Sequence, residues 1–223
     1  MTRLTARFIA SVLTTALLLA PVSLAFDTPL SDQAVREAYF LGQRHDGTFV
    51  RLLEKYTKSL PPPKTGPYIS SIAFYTPFIQ SVHFSDRFVG NYSAQQAALD
   101  HRRQGAEIVQ IFVEIQLTDS YGQFLPPPAN SRSNSPAALI PRPQDFWRDF
   151  QSLIYDSDKE LTPIGTHGHA NYSCGDNGPC ILTGATLEFD FPAGAFTSDS
   201  AAIDVVPPEG DPVSADFDLA SFR

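Results

Sequence analysis

Residues 107–119, EIVQIFVEIQLTD, constrain the fold more than any other stretch. Val109, Ile111, Val113, Ile115 and Leu117 fall on one side, while Gln110, Glu114 and Gln116 fall on the other. A period of two over that length marks an antiparallel strand with one apolar face on a core and one polar face. Such a strand needs neighbours, and the chain supplies them. YISSIAFYT (68–76) and FIQSVHFSDRFV (78–89) are rich in β-formers and are separated by Pro77. In ATLEFDF (185–191), Leu187, Phe189 and Phe191 alternate with Glu188 and Asp190. AIDVVPPEGDPVSADFDLASF (202–222) reads as a hairpin turning at PPEGDP. Short strands punctuated by Pro and Gly predict an antiparallel β-sandwich.

Helical spacing is confined to a few places. Ser31 can cap a helix carrying Val35, Ala38, Tyr39 and Gly42, which HDG at 45–47 breaks. Phe49, Leu52, Leu53, Tyr56 and Leu60 repeat the pattern up to the prolines at 61–63. A further short helix is expected over 94–104, between Ser93 and Gly105. Residues 147–155 suit a strand, although Phe146, Phe150 and Leu153 also fit a helix over 144–154. A turn at Asp156–Glu160 leads to a strand beginning near Leu161. The expected organisation is a signal peptide at 1–25, a helical N-terminal segment at 26–63 and a β-sandwich domain at 64–223. A Pro, Ser and Asn loop interrupts that domain at 126–143. The class is mainly β, and α+β overall.

The N-terminus sets the expected compartment. Arg3 and Arg7 precede an uncharged apolar stretch from Phe8 to Ala20, and Ser23-Leu24-Ala25 offers small residues at a peptidase site. This is the layout of a secretory signal, cleaved after Ala25. The stretch is shorter than the ~20 residues of a membrane-spanning helix, so no transmembrane segment is expected after cleavage. The protein is expected in the periplasm or outside the cell. The formal charge is -8, and the signal holds two arginines and no acid, so the exported part is more acidic still. Clustered Lys and Arg are lacking, which argues against nucleic acid as a partner.

Cys174 and Cys180 are the only cysteines, and in an exported chain they are expected to pair. Gly175-Asp176-Asn177-Gly178-Pro179 between them are all turn formers. Closing so small a ring adds about 2.4 kcal/mol at most, enough to pin a hairpin tip. His167 and His169 lie two apart on the strand entering that tip and share a face, so they are candidate metal ligands for zinc or copper. Their spacing is similar to that in cupins, but Ser173 stands where that motif has glutamate, and nothing is carried over from it.

Register sharpens the histidine question. If Cys174 simply opposes Cys180, His167 falls opposite Leu187 and both histidines join the core face. One extra residue near Gly184 places His167 opposite Glu188 and His169 opposite Thr186. A bulge near Gly184 and a His167/Glu188 neighbourhood are therefore expected, with Glu188 as a third candidate ligand.

Other chemistry is thinner. No G-x-S-x-G elbow occurs. Glu114 and Asp119 are the best strand-borne carboxylates for hydrolysis. Asp156, Asp158 and Glu160 resemble the start of a calcium loop but lack its glycine, Leu161 standing there. Trp147 is expected to be exposed and open to a partner. The leading expectation is an exported, non-catalytic binding or structural module without a cofactor, whose partner is an unspecified protein or ligand. A periplasmic metal-binding protein using His167 and His169 is the alternative, and a hydrolase the third reading.

Overall fold

The computed structural model describes residues 25–87, 92–126, 139–175 and 178–223. The expected signal up to Leu24, most of the 126–143 loop, the end of the 78–89 segment and Asp176-Asn177 lie outside the described residues. Among the described residues there are four α-helices: α1 (Asp32–Gly42), α2 (Thr48–Tyr56), α3 (Pro77–Asp86) and α4 (Ala94–Arg103). The strands are β1 (Thr57–Ser59), β2 (Tyr68–Tyr75), β3 (Ile108–Gln116), β4 (Phe124–Leu125), β5 (Ile140–Pro141) and β6 (Gln151–Asp156). They continue with β7 (Lys159–Leu161), β8 (Gly165–Cys174), β9 (Cys180–Pro192), β10 (Ser200–Val206) and β11 (Val213–Asp218).

Two antiparallel sheets carry the fold, in the orders β1-β2-β3-β9-β8 and β11-β10-β6-β7, with β4 and β5 forming a separate ribbon. The strand singled out by its alternation is β3, at the centre of the larger sheet. Its Val109, Ile111, Val113 and Ile115 are fully buried, while Gln110, Phe112 and Glu114 between them are half-buried. The inward faces of the two sheets share one core, dominated by phenylalanines. Phe74 of β2 lies 5.7 Å from Phe217 of β11 and 5.0 Å from Phe196 (ring centroids). Each such pair adds about 0.5–1.5 kcal/mol beyond area burial. Phe26 joins the cluster 6.2 Å from Phe74.

The sequence placed α1 and α4 correctly, down to their caps. Ser31 accepts from the Ala34 amide and Ser93 from the Gln96 amide. Two expectations are corrected. The second helix stops at Tyr56 rather than running to Leu60, because Thr57–Ser59 pair with β2 as β1. The segment beginning FIQSVHF, expected to be a strand, is helix α3. Thr76 caps it by accepting from the Ile79 amide, and Pro77 sits in the first turn, where its missing N–H costs nothing. Phe78, Ile79, Val82 and Ser85 then face inward at helical spacing. Tertiary burial of that stripe outweighs the β propensity of its residues.

Residues 146–156 settle as a short 3₁₀ turn, Phe146–Asp149, followed by β6. The Asp156–Glu160 turn joins β6 to β7, with Ser157 in the left-handed region.

The hairpin β8–β9 contains the expected irregularity. Asn171 pairs with Gly184 but Tyr172 pairs with Leu182, so Thr183 is the extra residue. His167 then opposes Glu188, and His169 opposes Thr186. Gly184 is required there because a Cβ at its position would lie 2.0 Å from the Ile115 carbonyl oxygen.

Candidate functional site

The outward face of the larger sheet is not simply wet. Helices α3 and α4 border its β2–β3 side, α3 touching β2 and α1 packed against both helices, and with the strands they line a cleft of about 770 Å³. Cross-strand register lays the floor in rows. One runs Ser71–Glu114–Thr186, the next Ala73–Phe112–Glu188, and the third Tyr75–Gln110–Asp190. Ser71, Ala73, Tyr75, Gln110, Phe112, Glu114 and Glu188 line the cleft.

Two polar clips hold the walls in place. From α3, the Gln80 side-chain amide donates to the carbonyls of Tyr75 (3.0 Å) and Ile108 (2.8 Å), tying the helix to the ends of β2 and β3. At the start of β3, the buried carboxylate of Glu107 accepts from the Thr28 hydroxyl (2.6 Å) and the Leu30 amide (2.6 Å). His101 of α4 lies 2.8 Å from the same carboxylate through Nε2. Glu107 therefore fixes α4 and the N-terminal segment against the sheet.

The floor carboxylates are held by neutral donors. Thr186 donates to Glu114 (2.9 Å), the Asn171 amide also reaches it (3.4 Å), and the Gln110 amide donates to Glu188 and to Asp190 (3.2 Å). Tyr75 packs edge-on to Phe112 with ring centroids 5.0 Å apart. Burial, reinforced by the Glu114 charge, pushes the Tyr75 hydroxyl above its ordinary pKa. At the C-terminal cap of α3, Arg87 donates to His83 Nε2 at 2.7 Å. Burial, together with the Arg87 charge, holds the His83 pKa below its ordinary value. His83 is thus neutral at pH 7 with its proton on Nδ1, a buried atom with no hydrogen-bond partner among the described residues.

The residues singled out from sequence are only partly gathered here. Glu188 and Glu114 lie on the cleft floor. His167 and His169 share their face of the sheet but stand on the exposed edge strand β8. His167 Nε2 is 3.8 Å from an Asp190 carboxylate oxygen. Among the described residues, no three His, Cys, Asp or Glu are gathered so as to hold a metal ion. Cys174 and Cys180 form a disulfide at the hairpin tip.

Asp119 lies in the exposed turn beyond β3, off the cleft floor. Asp156 is buried and accepts from the Thr197 amide (3.1 Å), the Thr197 hydroxyl (3.0 Å) and the Ser198 amide (3.0 Å). Its partners are structural, and Asp158 and Glu160 point to solvent from the hairpin turn. Trp147, expected to be exposed, is half-buried. Its indole covers Gly168 of β8 so closely that a Cβ there would meet the ring at 2.4 Å.

Sequence reasoning missed Tyr75, His83, Arg87, Glu107 and Phe112. The available signal was Thr76-Pro77, a cap followed by a first-turn proline, which turns the next segment into the cleft wall. No model of a known protein family matches the chain, and no curated protein is significantly similar to it.

Proposed function

We propose that the protein is an exported, non-catalytic binding protein that takes a small organic molecule in the cleft between the larger sheet and helices α3 and α4. The observation that carries this reading is the cleft itself. At about 770 Å³ it is of the size that holds metabolite-sized ligands. Its lining combines an aromatic pair, Tyr75 and Phe112, with converging polar groups from two sheet strands and a helix. That combination, an apolar seat with a few fixed polar contacts, is what orients a small ligand.

Export is supported by the signal-like N-terminus and by the Cys174–Cys180 disulfide. Among the described residues no helix is long and apolar enough to cross a membrane. Phe26, which cleavage after Ala25 would make the first residue, is buried in the aromatic core.

The test is a thermal-shift screen of a fragment set against the oxidised mature protein and a Ser71→Trp variant. Ser71 lines the cleft from β2 opposite Glu114, and an indole there would obstruct the floor beside that acid. Fragments that raise the Tm of the natural protein and leave Ser71→Trp unmoved support the reading. Fragments that stabilise both equally contradict it.

A further inference from the structure

We infer that the ligand of this cleft is an organic cation, a protonated amine carried on an apolar, ring-sized body. The inference rests on the reading of the cleft as a ligand site and names the chemistry that it selects. Glu114 and Glu188 stand on adjacent strands of the floor. Glu114 opposes Thr186, and Glu188 is two residues further along the same strand. Such diagonal neighbours on one face are roughly 7–8 Å apart at the backbone, which places both acids on the same stretch of floor.

Both acids are half-buried, and among the described residues neither forms an ion pair. Their protein hydrogen bonds come from uncharged Thr186, Asn171 and Gln110. A pair of like charges in a concave site with low-dielectric walls concentrates negative potential, and that favours a cationic guest. An ammonium brings three donors and no acceptor, matching carboxylate oxygens that have no cationic partner.

The apolar half of the recognition lies beside the acids. Phe112 sits between Gln110 and Glu114 on the same face of β3 and directly opposite Glu188. With Tyr75 at 5.0 Å it offers an aromatic corner for the body of the ligand, and a ring face within reach of the charge. An anionic ligand fits less well. Among the described lining residues Arg87 is the only permanent cation, it stands on the helix wall, and it already donates to His83.

Three probes of one shape and different charge decide the matter: phenethylamine, 2-phenylethanol and phenylacetate. They are titrated calorimetrically into the oxidised mature protein at low salt. Phenethylamine is expected to bind at least roughly tenfold more tightly than the alcohol, a difference of about 1.4 kcal/mol, with phenylacetate weakest. A Glu114→Gln/Glu188→Gln variant should lose the preference for the amine and retain its affinity for the alcohol. Should the double variant not fold, Glu188→Gln alone is expected to cut amine affinity several-fold.

The inference is overturned if the alcohol or the acid binds as tightly as the amine, or if the glutamine variants keep full amine affinity. When Ser71→Trp still abolishes that binding, the cleft reading stands and only the charge assignment falls. When none of the three probes binds, or Ser71→Trp binds them unchanged, the cleft reading fails as well.

Discussion

The two faces of the larger sheet come from the same strands and differ in almost every physical respect. On the inner face, Ile72, Phe74, Val109, Ile111, Val113, Leu187 and Phe191 are buried against the smaller sheet. One residue along, the outer face carries Tyr75, Gln110, Phe112, Glu114 and Glu188, half-covered by helices and open to a cleft. The inner face is closed by complementary side chains, so its atoms are committed to packing. The outer face is bordered by helices that Gln80 and Glu107 tie to one end of β2 and β3, and a cleft lies between the helices and the strands. Stability thus resides mainly on one face and the proposed binding on the other, and period-two alternation keeps them apart.

Substitutions should separate the faces by their cost. Phe74→Ala, which removes the ring packed on Phe26, Phe196, Phe217 and Phe222, is expected to destabilise by about 3–5 kcal/mol in urea unfolding. Gly184→Ala attacks the device that assigns β9 residues to their faces. With a Cβ driven onto the Ile115 carbonyl, a loss of about 2–3 kcal/mol is expected. Retention of full stability by either variant would break the account of the inner face.

Acidification probes the cleft wall. The depressed pKa of His83 means that the unfolded chain takes up its proton first as pH falls. The associated stability is intact above about pH 6.5 and is lost as pH drops through the folded-state pKa. His83→Gln should therefore lose less Tm than the natural protein between pH 7 and pH 5. Equal losses would show that burial of His83 does not bear on folding.

The smallest expected effect is the most informative for function. Glu188→Gln should change stability by no more than about 0.5 kcal/mol, because the amide can keep a contact with Gln110. A large loss of stability would make Glu188 a structural residue and blur the contrast between the faces.

How much of this was legible in the sequence depended on whether local pattern or long-range contact decided the matter. The inner face could be read because Val109, Ile111, Val113 and Ile115 repeat without a break. The bulge could be read because the disulfide fixes one end of the β8–β9 register and Leu187, Phe189 and Phe191 fix the other. Those two constraints conflict unless one residue slips near Gly184.

The cleft could not be read in the same way. Gln110 and Glu114 alternate identically whether they face water or a helical roof, and only tertiary packing decides which. The helix that forms the wall was hidden because Phe78, Ile79, Val82 and Phe84 are β-formers, and the Thr76-Pro77 start signal spans only two residues. The histidine pair drew notice by its spacing, yet β8 holds it on an exposed edge beside the cleft rather than within it.

The most direct measurement of the central claim is backbone amide chemical-shift mapping of the oxidised protein titrated with phenethylamine and, separately, with 2-phenylethanol. Binding at the outer face predicts shifts gathered at Ser71, Ala73, Tyr75, Phe112, Glu114 and Glu188, with the hairpin tip around Tyr172 and Ile181 unmoved. Shifts confined to that tip or scattered over the exposed surface, with the floor of the cleft silent, would contradict it.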